Sequence, residues 1–343
     1  MVQNKSVIFL ASPTEYPVPG EHFAVETREL NAELKENDVL VRNLYLSLDP
    51  YMRGRMRDSH VKSYVPSYPI GQPVSGGGVS EVTESKNPAF PIGSIVTGMV
   101  GWEEYTLVSG GQGLRVIPNA RDSKIPLSAY IGVLGMPGMT AYSSLKIIGQ
   151  PKAGETIFIS AAAGAVGQLV GQMAKKLGLR VIGSVGSDDK LDFLLKELKF
   201  DAAFNYKKGS ILDNLKAAAP QGIDIYYENV GGEQLEAALD VLNIHGRIVA
   251  CGMISQYNTP NPYGVKNLMN IVGKRITMRG FIVSDFAEQC GADFAKDVGT
   301  WLVKGEIVYK EDIAVGLDNA PDAFVGMLQG KNFGKQVVKV ADL

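Results

Sequence analysis

Apolar residues follow two different rhythms along the chain. From about Leu134 onward, apolar runs alternate with stretches of helical spacing, as in Val166, Leu169, Val170, Met173, Ala174 and Leu177. The runs predict six strands at 156–160, 180–183, 202–206, 223–228, 247–251 and 276–281. Strand and helix in alternation indicate an α/β domain with a doubly wound parallel sheet.

The N-terminal part has a different pattern. Up to about Pro126, short β-branched runs at 39–42, 78–82 and 94–99 are separated by Pro and Gly, which is typical of an irregular β domain. A helix is expected at 287–303, followed by strands at 309–315 and 336–340 that rejoin the first domain. We therefore predict one domain from residues 1–133 and 311–343 and a nucleotide-binding domain from residues 134–310. A chain of 343 residues is long enough to need two cores.

Composition narrows the class of protein. With 34 basic and 36 acidic residues, the net charge is -2 and no charged run stands out, which argues against nucleic acid and membrane surfaces as partners. Cys251 and Cys290, the two cysteines, suit a reducing compartment. The start of the chain does not resemble a signal peptide. We expect a cytoplasmic protein that acts on a small molecule.

A glycine-containing turn follows the first strand of the second domain. Its sequence is Ser160-Ala-Ala-Ala-Gly-Ala-Val-Gly167, with Ala162 where the dinucleotide fingerprint has its first glycine. Because an amphipathic helix follows, the helix N-terminus and the amides around Ala163, Gly164, Ala165, Val166 and Gly167 are expected to bind a diphosphate. The alternative is a turn chosen only for close packing of helix and strand.

The segment after the second strand distinguishes NADP from NAD. An acidic side chain there would accept from the ribose 2′-hydroxyl of NAD, whereas Gly186 and Ser187 belong to an acid-free stretch. Lys190 and Tyr206, with Lys207 and Lys208, suit a 2′-phosphate. Asp188 and Asp189 argue for NAD, but in a first helical turn they are expected to face the helix dipole. Ser187 is expected to cap that helix through its hydroxyl.

Eight strings in order carry a resemblance to a known family. They lie at 48–53 (LDPYMR), 134–142 (LGMPGMTAY), 160–167, 186–190 (GSDDK), 204–207 (FNYK), 228–232 (ENVGG), 251–258 (CGMISQYN) and 330–335 (GKNFGK). The chain resembles zinc-independent members of the medium-chain dehydrogenase/reductase superfamily, in the prostaglandin reductase and alkenal double-bond reductase branch. The resemblance implies a GroES-like β-barrel domain, a Rossmann domain, a cleft between them and a homodimer.

Zinc ligands of the superfamily's alcohol dehydrogenases are missing from this sequence. Ser47 stands where the first ligand Cys would fall, and Gln72 where a His would fall. His22, His60 and His245 form no pair with metal-ligand spacing, and His245 is expected in a turn before a strand. Without a Lewis acid an alkoxide is poorly stabilised, so oxidation of ordinary alcohols is disfavoured.

Hydride transfer to the β-carbon of an enal or enone remains feasible, because the substrate carbonyl delocalises the charge as an enolate. The resemblance implies Tyr257 as proton donor and Tyr51 as a substrate contact. Each has a packing alternative, since a tyrosine of ordinary pKa near ~10 is a weak acid at neutral pH. Solvent is the other source of the proton.

Further positions take expected roles from the matching strings. Met136, Thr140 and Cys251 would lie near the nicotinamide, Asn229 would contact the cofactor, and Asn332 would reach the diphosphate. Phe281, Ile282 and Val283 would follow the nicotinamide edge. Cys251 is interpreted as a wall of the site, because no cation beside it in sequence favours a thiolate.

The hypothesis is an NADPH-dependent reductase of carbon–carbon double bonds in α,β-unsaturated aldehydes and ketones. Two alternatives stay open, a quinone reductase of the zeta-crystallin type and a catalytically silent NADPH-binding protein. Tyr263, Met269 and Trp102 are candidates for the substrate cleft or, more often for such residues, the core.

Overall fold

The computed structural model describes residues 2–30 and 33–343. The chain divides into two compact units. The first comprises the residues up to Gly132 together with Glu311–Leu343, and the second comprises Val133–Lys310.

The strands and helices are given in chain order. The strands are β1 Val2–Phe9, β2 Phe23–Leu30, β3 Val39–Ser47, β4 Ser75–Ser85, β5 Ile95–Gly101, β6 Tyr105–Val108, β7 Arg115–Val116, β8 Thr156–Ile159, β9 Arg180–Val185, β10 Ala202–Asn205, β11 Ile223–Glu228, β12 Leu242–Ala250, β13 Thr277–Gly280, β14 Glu311–Val315 and β15 Lys335–Lys339. The α-helices are α1 Tyr51–Arg55, α2 Met136–Ser144, α3 Gly167–Lys176, α4 Asp188–Asp192, α5 Ile211–Ala218, α6 Gly232–Val241, α7 Met269–Lys274, α8 Ala287–Val303 and α9 Ala320–Leu328.

The first unit is built on a sheet in the order β14-β15-β3-β4-β5-β7, with β6 also paired to β3 and with β1 and β2 forming a separate antiparallel pair. Strand β15 runs antiparallel to β3, with Val337 opposite Ser47, so the C-terminal segment completes the sheet of the N-terminal unit. Trp102 is fully buried and packs against the rings of Phe23 and Phe324, which also contact each other. Trp102 therefore belongs to the core of this unit.

The second unit is a six-stranded sheet in the order β10-β9-β8-β11-β12-β13. Its neighbouring strands are all parallel, and the order reverses between β8 and β11. Apolar side chains of the strands fill the core; the stacked rings of Phe158 and Tyr226 have centroids 5.0 Å apart. The structure confirms the doubly wound sheet. Ligands of such sheets bind at the carboxyl ends of the strands, where the order reverses.

Most predicted element bounds agree with the structure, and α8 spans the predicted 287–303. The exception is the start of β12. The prediction placed His245 in a turn before the strand, but β12 already begins at Leu242. His245 lies inside it with φ of 64°, where the register with β11 shifts. A left-handed residue makes a bulge that sequence periodicity cannot distinguish from a turn.

Among the described residues, no helix has the length and apolar character needed to cross a membrane.

Replacement of Gly171 tests the packing of α3. A Cβ there would lie 2.0 Å from the ring of Phe200, which is buried. Gly171→Ala is expected to lower the free energy of unfolding by about 1–3 kcal/mol, because the ring must move within a filled core. Denaturant unfolding measures the change.

Gly291→Ala in α8 is the matched control, since an added Cβ there meets no atom within 4 Å. It should stabilise the chain by about 0.5–1 kcal/mol, as expected for Ala over Gly in a helix. Equal effects of the two substitutions would contradict the packing described here.

Candidate cofactor and active site

The residues predicted to bind the cofactor in the second unit come after the carboxyl ends of its parallel strands, apart from those on α2. The turn after β8 precedes α3, and the segments after β9 and β11 precede α4 and α6. The segments after β12 and β13 enter short 3₁₀ turns. Because all these strands are parallel, their following loops lie along one edge of the sheet.

The turn between β8 and α3 brings strand and helix very close together. Ala161 has a φ of 48°, and the amide of Ala162 donates to the carbonyl of Ser184 on β9 at 3.0 Å. A Cβ on Gly167 would lie 2.6 Å from the carbonyl oxygen of Ala161, so glycine is required there. Gly164, Ala165 and Val166, which directly precede α3, are half-buried, while Ala163 is buried. The geometry provides a helix N-terminus that can bind an anion.

The tips of β9 and β10 bring the candidate 2′-phosphate residues together. The amide of Tyr206 donates to the carbonyl of Val185 at 3.0 Å. The hydroxyl oxygen of Tyr206 is 3.0 Å from where a Cβ of Gly186 would stand. Gly186, Ser187, Lys190 and Tyr206 are all half-buried, so this corner is lined but open to a ligand.

The two acidic residues at the start of α4 have partners within the protein. Asp188 accepts from Asn205 Nδ2 at 3.0 Å and from Lys208 Nζ at 2.5 Å, and both contacts lower its pKa. Lys208 is therefore paired with a carboxylate, which reduces the positive charge that the sequence indicated for this corner. Asp188 and Asp189 do lie in the first turn of α4, as expected.

Ser187 occupies the N-cap position of α4, but its predicted hydroxyl cap is wrong. The side chain makes no capping hydrogen bond. Its hydroxyl is instead hydrogen-bonded to the carboxylate of Asp189, which lowers the pKa of Asp189. A hydrogen bond to an ionised carboxylate is stronger than one between a backbone amide and a neutral hydroxyl oxygen. The Ser187 hydroxyl therefore donates to Asp189 instead of accepting from the helix.

Asn229 ties the turn after β11 to the end of β8. Its backbone amide donates to Ser160 Oγ at 2.9 Å, and its side-chain Nδ2 donates to the carbonyl of Ser160 at 2.8 Å. Ser160 precedes the glycine turn directly. The two loops that flank the reversal of strand order are therefore connected by hydrogen bonds.

A second polar chain links α2 to the end of β12. Ser144 Oγ lies 2.7 Å from both the carbonyl of Thr140 and the hydroxyl of Tyr227. Tyr227 also contacts the thiol of Cys251. Thr140 donates to the sulfur of Met136, which begins α2, at 3.5 Å. Thr140 and Cys251, both predicted near the nicotinamide, are thus connected through buried hydroxyls.

Phe281, Ile282 and Val283 follow β13 and are half-buried. The amide of Ile282 donates to Asp285 at 2.9 Å, and Val283 begins a 3₁₀ turn, Val283–Phe286, that contacts α2. The structure therefore brings this segment beside the helix of Met136 and Thr140.

Tyr257 lies at the end of a short 3₁₀ turn after β12 and is half-buried. Its hydroxyl oxygen accepts from the amide of Met253 at 3.2 Å. This contact fixes the position of the oxygen and uses one of its lone pairs rather than the hydroxyl proton. Neighbouring Asn258 is buried.

The remaining predicted residues lie in the first unit. Tyr51 begins α1 and is half-buried; burial, together with the Asp49 carboxylate, raises its pKa well above the ordinary value. Ser47 donates to Asp49 at 2.5 Å. Gln72, at the other ligand position, is exposed. Asn332 donates to the carbonyl of Gly334 at 2.7 Å, and its role toward the diphosphate stays a prediction.

Several buried polar residues at this edge were missed by the sequence reasoning. Ser144, Ser160, Tyr227 and Glu228 are each fully buried and connect the loops described above. The signal was present in Tyr226-Tyr227-Glu228, where polar groups end an otherwise apolar strand. Buried polar groups need partners, and their partners are distant in sequence.

Cys251 is expected to be unreactive. Although part of the residue is exposed, its thiol is enclosed, and burial raises the pKa of Cys251 to about 12. At pH 8 about one molecule in ten thousand would then carry a thiolate there, against roughly a quarter for an ordinary cysteine. Native protein at pH 8 should resist iodoacetamide, while denatured protein should incorporate two labels, as measured by mass spectrometry. Fast labelling of native Cys251 would exclude its interpretation as a wall.

Comparison with known proteins places this site in a family. The model of an N-terminal domain of oxidoreductase matches residues 5–117, and the model of a zinc-binding dehydrogenase matches residues 165–299. The 2-alkenal reductase (NADP(+)-dependent) of Nicotiana tabacum is 49% identical over 345 residues, covering 99% of this chain and 98% of that protein. Prostaglandin reductase 1 of Rattus norvegicus is 42% identical, covering 99% of this chain and 100% of that protein.

A solved structure agrees with these matches. The crystal structure of CurA from Vibrio vulnificus in complex with NADPH has a TM-score of 0.91 and 40% identity, and covers 99% of this chain and 100% of that one. The resemblance in the sequence is thereby confirmed, including the GroES-like domain and the Rossmann sheet. The chain belongs to the medium-chain dehydrogenase/reductase superfamily, in the branch of the alkenal and prostaglandin double-bond reductases.

Proposed function

We propose that this protein is an NADPH-dependent reductase of the carbon–carbon double bond of α,β-unsaturated aldehydes and ketones. The observation that carries the proposal is full-length similarity, at 42–49% identity, to enzymes named for reducing alkenals and prostaglandins. The similarity extends over both units rather than over the nucleotide-binding sheet alone, so it includes the substrate-binding half.

The residues of the second unit fit a dinucleotide. The turn from β8 into α3 has the close backbone approach, at Gly167, that a diphosphate site needs. Bound NADPH would supply the hydride. Ala163, Gly164, Ala165, Val166 and Gly167 would hold the diphosphate, with Asn332 as a further contact. Met136, Thr140, Asn229, Cys251, Phe281, Ile282 and Val283 would surround the nicotinamide.

The proton and the orientation of the substrate are the tasks of the chain's own side chains. After hydride reaches the β-carbon, the substrate carries an enolate, which needs a hydrogen-bond donor at oxygen and a proton at the α-carbon. We propose Tyr257 as that donor, because its hydroxyl oxygen is held in place by the Met253 amide. Tyr51 contacts the substrate; its raised pKa makes it a hydrogen-bond donor rather than an acid.

A preference for NADPH over NADH follows from the corner formed by Gly186, Ser187, Lys190 and Tyr206. Both acids at the start of α4 have partners within the protein, Asp188 with Asn205 and Lys208, and Asp189 with Ser187. They are therefore less able to repel a 2′-phosphate or to accept from a 2′-hydroxyl. Lys190 is the cation that we assign to the 2′-phosphate.

The reaction proposed here uses no metal. The family description names zinc, but Ser47 and Gln72 stand at the expected ligand positions, and Ser47 is hydrogen-bonded to Asp49. In the part of the chain that the structure describes, no three His, Cys, Asp or Glu side chains form a group suited to a metal ion. An enolate needs no Lewis acid of its own, since the carbonyl delocalises its charge.

We further propose a cytoplasmic homodimer. Both cysteines are free thiols, which suits a reducing compartment.

Strand β13 is an edge strand. Exposed Leu268, Met269 and Val272 lie on or next to α7, which packs against β12 beside that edge. An open strand beside apolar side chains favours pairing with a second copy. Met269, 76% exposed, is assigned to this surface rather than to the substrate pocket.

The activity is tested by supplying purified protein with NADPH and either a medium-chain 2-alkenal or a benzoquinone. We expect NADPH oxidation with the alkenal, a saturated aldehyde as product by mass spectrometry, and slower turnover with the quinone. A strong chelator should leave the rate unchanged, because no metal is used. Comparable turnover with the quinone would favour a quinone reductase, and cofactor binding without consumption would favour a silent binding protein.

Cofactor choice is tested by Lys190→Ala. Loss of a charge-assisted contact to the 2′-phosphate should weaken NADPH binding by about 10- to 100-fold and NADH binding little. Fluorescence titration of both cofactors measures the two dissociation constants. Lys196→Ala is the control, because Lys196 is exposed and paired with Asp192 in the same region. Equal losses for NADPH and NADH in Lys190→Ala would show that Lys190 does not meet the phosphate.

A further inference from the structure

Glu228 ends β11 and is completely buried. One of its carboxyl oxygens, Oε1, accepts from the amide of Val230 at 2.6 Å, the amide of Gly231 at 2.8 Å and the hydroxyl of Tyr226 at 2.8 Å. Ser160 Oγ lies 3.3 Å from the same oxygen. The other oxygen, Oε2, has no hydrogen-bond partner among the residues that the structure describes.

The turn that Glu228 holds has a shape that needs an acceptor inside it. Gly231 has φ of 75° and Gly232 has φ of 58°, and α6 begins there. In this conformation the amides of residues 230 and 231 both point back toward the end of β11. Two buried amides without an acceptor would be costly, and an apolar residue at position 228 could not serve them.

The loop that carries Tyr257 is hydrogen-bonded to the same turn. The amide of Ile254 donates to the carbonyl of Asn229 at 3.1 Å, and the amide of Ser255 donates to the carbonyl of Val230 at 3.0 Å. The amides of Cys251 and Gly252 donate to the carbonyl of Glu228 itself. The position of residues 251–257 is therefore set by residues 228–230.

Burial raises the pKa of Glu228 above that of an ordinary carboxyl group, while the amides of Gly231 and Val230 and the Tyr226 hydroxyl act in the opposite direction. Burying a carboxyl group away from water costs free energy unless its hydrogen bonds offset that cost. Here the carboxyl group provides the acceptor that the two turn amides need.

We propose that Glu228 is a positioning residue for the reduction. It fixes the positions of the Tyr257 loop and of the Asn229 turn relative to the glycine turn after β8. The proposal rests on the function proposed above. Glu228 acts through the Val230 and Gly231 amides on the turn, and through the turn's carbonyls on the Tyr257 loop. Its connection to Ser160 sets the same turn against the diphosphate side.

Two variants at this position and a double-mutant cycle with Tyr257→Phe test the proposal. Glu228→Asp shortens the side chain by one methylene and withdraws the acceptor from the turn. We expect kcat to fall by about 10- to 100-fold, because a displacement of the Tyr257 hydroxyl by about 1 Å is enough to cause such a loss. Glu228→Gln keeps an acceptor oxygen at the same distance from the backbone, so it should retain most of the wild-type kcat. In a Tyr257→Phe background, Glu228→Asp should add little to the loss, because the two changes then remove the same contribution.

The matched control is Asp224→Ala, at the opposite end of the same strand. Asp224 accepts from the amide of Thr156 at 2.8 Å and from Asn243 Nδ2 at 2.9 Å, so it too is an acceptor that joins neighbouring strands. Its loss should lower the melting temperature and leave kcat unchanged. If Asp224→Ala and Glu228→Asp lower kcat alike, or if the losses from Glu228→Asp and Tyr257→Phe multiply, Glu228 has only a structural role and the proposal fails. Unchanged turnover in Tyr257→Phe also overturns it.

Hydrogen exchange supplies a readout that is independent of turnover. Glu228→Asp should speed exchange of the Ile254 and Ser255 amides by about tenfold or more, and Asp224→Ala should leave them unchanged. Unchanged exchange in Glu228→Asp overturns the proposal even if the enzyme reduces alkenals. Faster exchange in an enzyme that consumes no NADPH with any alkenal supports the coupling of the loops and overturns the reductase function instead.

Discussion

The hydrogen bonds between the end of β8 and the end of β11 are the contacts on which the candidate site depends. The backbone amide and the side-chain amide of Asn229 both donate to Ser160. The carboxylate of Glu228 accepts from two backbone amides of the turn that follows it. In a doubly wound sheet the loops after these two strands diverge to opposite faces, which opens the crevice where ligands bind. Something must hold the two loops at a constant separation, and here buried polar side chains do so.

Electrostatics at the site is governed by pairing within the protein rather than by net charge. Asp188 is bonded to Lys208 and Asn205, and Asp189 to Ser187, so the two acids nearest the candidate 2′-phosphate corner are both engaged. These contacts are exposed, and each contributes little to stability. Their effect is on selectivity, because a carboxylate that already has its donors competes less for a ribose hydroxyl.

The site has few groups that could act as strong acids or nucleophiles at neutral pH. Burial raises the pKa of Tyr227 and Cys251, so both stay in their neutral forms. Neutral hydroxyls and a neutral thiol suit a reaction whose charge develops on the substrate and is dispersed there. Such groups can donate hydrogen bonds without competing as bases.

The sequence by itself determined the doubly wound sheet, the glycine turn, the acid-free corner and the family, because period-2 and period-3.6 patterns and short motifs depend on neighbouring residues. It also indicated that parallel strands bring Ala163, Gly186, Asn229 and Cys251 to one edge. Only the tertiary structure decided how polar side chains pair there. The hydrogen bonds that join Ser160 to Asn229 and to Glu228 depend on which groups meet across neighbouring strands, and a pairing between residues tens of positions apart leaves no local pattern in the chain.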